Sequence, residues 1–218
     1  MSGTVENISK DALAVILDLL QPGHLVALLG PSGAGKTVLA LHVALEAAKS
    51  KSTVYVALEE QAHSRDFLQQ HPEIAVVREP RVSGRGVFIV DGVEPLAKLF
   101  LGDPHPCWWE AILAAMDRLR REARASDAAV LALVATDVPG PENLTPGSVW
   151  TAALTVADAV GLVKPINGWS RKQTDGYFSA GPGELLLLKP LSAHYPIPDL
   201  DMSSYVPRYD GSGRSVHP

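Results

Sequence analysis

Cysteine is all but missing from this chain: its 218 residues include one, Cys107. A single thiol closes no internal disulfide, and no cluster of Cys and His residues has the spacing of a structural zinc site. Without a neighbouring base in its local sequence, Cys107 reads as an inert thiol. Basic charge is also short. Lys and Arg number 19 against 24 Asp and Glu, a formal net charge of −5, the opposite of the footprint of a dedicated nucleic-acid binder. Only a local basic groove is left open. No uninterrupted apolar run approaches the ~18 residues of a bilayer span, and even AVLALVA and LLLL are short. The N-terminal stretch MSGTVENISKDALAVILDLL lacks a basic leader region, and Asp18 interrupts its apolar part. These absences predict a cytoplasmic protein with no signal peptide and no membrane partner.

What is present is a globular composition. With 46% hydrophobic and 20% charged residues, the chain is long enough for one substantial core and too apolar for wholesale disorder. Gly (18) and Pro (17) gather towards the C-terminus. We expect one domain over residues 1–193 and a Pro/Gly-rich tail over 194–218, marked by Pro196, Pro198, Pro207 and Pro218.

Periodicity predicts alternating helices and strands. Ser9 is placed to cap a first helix running through Leu20, which Pro22 and Gly23 stop. His24 to Leu29 reads as a buried strand and Lys36 to Ala48 as a helix. Strands follow at Thr53 to Leu58 and Ile74 to Val77, with a short helix from Gln61 to Gln70 between them. Further strands are expected at Gly86 to Val90, Ala129 to Ala135 and Ala159 to Val163. Helices are expected at Trp108 to Ala125 and Gly147 to Ala157. Tyr177 to Ala180, the turn Gly181-Pro182-Gly183 and Leu185 to Lys189 read as a hairpin. This order predicts an α/β fold: a mostly parallel sheet flanked by helices and extended by a C-terminal antiparallel hairpin.

The run Gly30-Pro31-Ser32-Gly33-Ala34-Gly35-Lys36-Thr37 satisfies G-x-x-x-x-G-K-[ST] after a predicted strand and before a predicted helix. Its glycines let backbone N–H groups curl around phosphate oxygens, and the helix N-terminus favours the same anion. Lys36 then neutralises the β and γ phosphates of ATP, and the Thr37 hydroxyl serves Mg²⁺. The alternative is a chance glycine-rich turn. Asp91, closing GVFIV, matches the acid that orients Mg²⁺ through water, or else a simple Asp-Gly turn. Glu59 and Glu60 follow TVYVAL. Strand alternation sends them to opposite sides, so only one aims into the site; alternatively both acids merely start the next helix.

From Gly30 to Thr37, and then through VYVALEEQ, VFIVDGVEPL, VLALVATD and ADAVGLVKP, the chain resembles the RecA-like P-loop ATPases, particularly the KaiC/RadA/DnaB group. The likeness spans residues 24 to 190. It implies a RecA-like fold, Mg-dependent ATP hydrolysis, and a water-activating acid at Glu59 with Glu60 assisting. It also implies assembly into a homo-oligomer, or a hetero-oligomer of paralogues, with a basic residue reaching into the neighbour's site. That residue is Lys189, or Arg171 in its place, because Lys189-Pro190-Leu191 stands where the group carries K-x-R or K-x-K. Thr136-Asp137 stands where recombinases of the group carry a glutamine. The implied role is DNA recombination, repair or replication. The alternative is a KaiC-like regulatory ATPase, or a nucleotide-gated assembly protein acting on protein partners.

Three further stretches admit two readings each. Trp169, Arg171 and Lys172 combine an aromatic with two cations, as in single-strand contacts, or form an ordinary loop or subunit contact. Arg118 to Arg124 reads as a solvated helix face with ion pairs, or meets an acidic partner. Trp108 and Trp109 anchor a helix start, or stack on a base. His63, His71, His105 and His194 have no ligand spacing.

Overall fold

The computed structural model describes residues 11–58, 62–101, 107–136, 148–165, 183–190 and 193–197, together with the short backbone segments 208–209 and 215–216. Its elements run, in chain order, α1 (Ala12–Leu19), β1 (Leu25–Gly30), α2 (Lys36–Ala48), β2 (Thr53–Ala57), α3 (Ala62–Gln70), β3 (Ile74–Val77), β4 (Gly86–Asp91), α4 (Val93–Leu101) and α5 (Trp108–Ser126). Then come β5 (Ala128–Ala135), α6 (Val149–Val156), β6 (Ala159–Pro165), β7 (Gly183–Lys189), β8 (Ala193–Ile197) and a two-residue pair, β9 (Arg208–Tyr209) with β10 (Ser215–Val216).

One eight-stranded sheet holds the order β3-β2-β4-β5-β1-β6-β7-β8. Its first six strands are mutually parallel, and β7 and β8 continue it antiparallel. The apolar runs are explained by burial on both faces. In β1, Leu25, Ala27 and Leu29 join the core beneath α4, α5 and α6, whereas Val26 and Leu28 join the core beneath α1, α2 and α3. β5 divides the same way, Val130, Ala132 and Val134 against Leu131 and Leu133. A parallel strand covered on both sides has no wet face to alternate with.

Several expectations are revised. The first helix is capped by Asp11, whose carboxylate accepts from the Ala14 N–H at 2.8 Å, three residues on as an N-cap requires; Ser9 lies outside the described residues. Helix α4 is an addition to the expected elements, because Pro95 interrupts the run after Asp91. Proline is compatible with a first helical turn, where its missing N–H has no intrahelical partner. The hairpin partner also differs. β7 pairs with β6 on one edge and β8 on the other, so both its edges are occupied and the 177–180 stretch has no place beside it in the sheet. Residues 177–180 themselves lie outside the described residues. The sheet runs past the expected boundary at 193/194, which falls at the first residue of β8.

The arginine-rich stretch lies on α5 with the ion pairs expected of a solvated face, Arg118 with Glu122 at 2.9 Å and Arg121 with Asp117 at 3.0 Å. Arg120 departs from that pattern. It points inward to Asp158, donating at 2.7 Å, while the other oxygen of Asp158 accepts from the Leu25 N–H at 3.0 Å. This carboxylate therefore ties α5 and the start of β6 to the start of β1. Trp108 opens α5 partly exposed, with the Lys98 ammonium 5.9 Å from its ring centre. Among the described residues, no helix is long and apolar enough to cross a membrane.

Candidate nucleotide site

The site lies at the edge where the parallel strands end. β1 stops at Gly30, whose carbonyl accepts from the Thr136 N–H at 3.1 Å, so the end of β5 is pinned beside it. The same carbonyl accepts from Lys36 Nζ at 2.7 Å, and that ammonium also donates to the Pro31 carbonyl at 2.9 Å. Residues 31–35 thus curl around their own lysine. Within the curl the Ala34 N–H donates to the Pro31 carbonyl at 3.2 Å. Gly35 takes φ 91° to turn the chain into α2, a left-handed conformation cheap only for glycine. At Gly30 a Cβ would come within 2.9 Å of the Val163 carbonyl, so the loop passes too close to β6 for any side chain.

Strand alternation brings the metal-type ligands together. Val87 and Ile89 of β4 face the α2 side, so Asp91, two residues on, faces it too. Thr37 is in the first turn of α2, and its hydroxyl donates to Asp91 Oδ1 at 3.3 Å. The second oxygen, Oδ2, accepts from the Tyr55 hydroxyl at 2.5 Å. A hydroxyl and a carboxylate are hard oxygen donors, and Mg²⁺ needs few protein oxygens because it keeps several waters. Thr37 and Asp91, converging at the N-terminus of the helix that follows the loop, fit that ion.

Two residues at this edge escape the sequence reading. Tyr55 reads there only as part of a strand. Its role depends on β2 lying beside β4 in the register Tyr55↔Ile89 and Ala57↔Asp91. Glu94, in the first turn of α4, accepts from the Ala135 N–H at 2.6 Å and fastens α4 to the end of β5. An acid three residues after Asp91, followed by apolar Leu96 and Ala97, is the available signal for that helix start.

Other sequence candidates separate from the loop. Lys189 pairs with Val160, which lies beside Ala27, three residues before Gly30. There Lys189 Nζ donates to the carbonyls of Leu154 and Ala157 at 3.1 and 2.6 Å, closing the C-terminus of α6 in its own chain. A cation over terminal carbonyls completes the helix dipole. Glu59, Glu60, Asp137, Trp169, Arg171 and Lys172 lie outside the described residues.

No protein-family model matches this chain, and no curated protein matches it. Solved structures do. A helicase-type ATPase domain superimposes with a TM-score of 0.59 at 13% identity, over 81% of each chain. A DnaB-like replicative helicase, described with its interactions with primase, superimposes with a TM-score of 0.56 at 12% identity. That match covers 81% of the present chain, which spans 55% of the helicase's length. The fold is therefore that of DnaB-like helicase ATPase domains, the RecA-like P-loop fold, with a mostly parallel sheet and the β6-β7-β8 antiparallel extension.

Proposed function

We propose that this RecA-like chain binds Mg²⁺·ATP at residues 30–37 and hydrolyses it. The observation that carries the reading is the meeting of Thr37 with Asp91 at the N-terminus of α2, beside a loop already wrapped around Lys36. In this reading Lys36 exchanges the Gly30 and Pro31 carbonyls for β and γ phosphate oxygens. The loop amides and the α2 dipole stabilise the same charge. Mg²⁺, held by Thr37 and by Asp91 through water, neutralises charge on the bridging phosphate oxygens. A carboxylate at Glu59, with Glu60 beside it, orients water for in-line attack and accepts its proton as the bond to the leaving ADP breaks. The position suits it, because β2 ends at Ala57 in register with Asp91 and the chain runs directly on to residue 59. Catalysis is then mostly positioning and electrostatics.

The work driven by hydrolysis is assigned to an oligomer, of one chain or of paralogues, acting on single-stranded DNA in recombination, repair or replication within the cytoplasm. β6 ends at Pro165, and β7 begins at Gly183 paired with it, at the same sheet edge as Gly30. The loop carrying Trp169, Arg171 and Lys172 therefore leaves and rejoins the sheet beside the nucleotide. Arg171, rather than the helix-capping Lys189, is the stronger candidate for reaching a neighbour's site. A second reading, a KaiC-like regulatory or nucleotide-gated assembly protein acting on protein partners, is favoured by the net charge of −5 and by the use of Lys189 within its own chain. Steady-state hydrolysis with and without single-stranded DNA, at low and moderate salt, separates them. Stimulation that fades with salt supports the DNA reading, because phosphate contacts are salt-sensitive. A rate indifferent to DNA supports the second.

A further inference from the structure

We propose that Tyr55 is a positioning residue for the metal-binding carboxylate, holding Asp91 by one oxygen so that the other is presented to Thr37 and the metal. The inference rests on the nucleotide-site reading and goes beyond it in giving a role to a side chain on β2 that no phosphate-loop motif contains. Asp91 is 4% exposed and Tyr55 1%. A carboxylate so buried requires donors, and a buried phenol requires a partner for its hydroxyl; here each serves the other. The donation to Oδ2 fixes the carboxylate's rotation about its last torsion, which is otherwise broad. The remaining oxygen, Oδ1, is the one that meets the Thr37 hydroxyl.

The tyrosine is itself well held. Its ring belongs to the core between the sheet and α2, with Ile89 beside it in register and Leu39, Val43 and Leu131 in the same cluster. A ring packed at interior density cannot swing its hydroxyl away from Asp91 without moving that core. The chain Tyr55–Asp91–Thr37 therefore links three elements, β2, β4 and α2, through one carboxylate. It is an outer-shell support of the kind whose removal weakens metal affinity rather than abolishing the site.

A Mg²⁺ titration, with binding of a fluorescent ATP analogue as readout, tests this without reference to turnover. Tyr55→Phe keeps the ring and removes only the hydroxyl. We expect it to raise the Mg²⁺ concentration at half-saturation about tenfold, while binding of the analogue in EDTA is unchanged. In an Asp91→Asn background the same substitution is expected to leave the Mg²⁺ requirement where Asp91→Asn alone puts it. A packing role alone would move the melting temperature in EDTA and leave the Mg²⁺ requirement untouched. An unchanged requirement in Tyr55→Phe, or the same tenfold rise in both backgrounds, overturns the inference while wild-type binding leaves the nucleotide reading standing. Wild-type protein that takes up no analogue with or without Mg²⁺ overturns that reading and the inference with it.

Discussion

Lys189 Nζ lies 2.6 Å from the carbonyl oxygen of Ala157, closing the last turn of α6 from the end of β7. The contact decides what this lysine does for the protomer. An ammonium shared between the Ala157 and Leu154 carbonyls is a charge-assisted cap, of the stronger class of hydrogen bonds.

Lys189→Met, which keeps most of the stem and removes the charge, is expected to lower the unfolding free energy by about 1–2 kcal/mol. Chemical denaturation followed by circular dichroism measures it. A variant of unchanged stability that has lost ATP turnover would return Lys189 to a role across a subunit interface.

Lys36 and Glu59 should separate binding from chemistry. Lys36→Ala is expected to abolish retention of ATP, since it removes the cation the loop is folded around. Glu59→Gln should retain ATP with near wild-type affinity and slow turnover by about 10²–10⁴-fold, the usual contribution of a general base. Equilibrium binding beside single-turnover hydrolysis provides both numbers. Normal turnover in Glu59→Gln would remove this residue as the water-activating acid.

Asp158 makes stability depend on acid. Burial raises its pKa, but the Leu25 N–H and the guanidinium groups of Arg120 and Arg124 outweigh this and hold the carboxyl below its ordinary value of 3.8. A group depressed in the folded state contributes stability that is complete above the unfolded pKa and is lost as pH falls through the folded one. Asp158→Asn should therefore cost about 2 kcal/mol at neutral pH through the lost charge-assisted bond to Arg120. The gap to wild type should close below about pH 4. Urea melts across pH test this, and a gap that stays constant into strong acid would contradict it.

The loop between β6 and β7 is the proposed DNA contact. Arg171→Ala with Lys172→Ala should reduce stimulation of ATPase by single-stranded DNA and flatten its salt dependence, because two phosphate contacts are removed. Wild-type stimulation in the double variant would exclude this loop.

Some of the fold was readable because the information is local. The helix Lys36–Ala48 and the strand Ile74–Val77 carry their periodicity and stop signals within a few residues, and the structure ends them where those signals fall. The phosphate loop is contiguous, so its glycines, Lys36 and Thr37 are adjacent by covalent connection. Asp91 was readable as the end of an apolar strand. The carboxylate cap at Asp11 and the helix after Asp91 were less so. A polar residue before an apolar run has several nearby competitors, and Pro95 resembles a breaker until it is known to lie in a first turn.

Spacing along one chain is enough to give the alternation of buried strands and helices and to place a phosphate-type loop between β1 and α2. It does not give the pairing of β2 with β4, which puts Tyr55 on Asp91. Nor does it show that Glu94 fastens the end of β5, that β8 occupies the free edge of β7, or that Lys189 is spent on α6; those came from the folded arrangement. Each joins residues distant in sequence through strand order and register. Order and register are set by how two whole apolar faces pack against their helices, not by any residue's immediate neighbours.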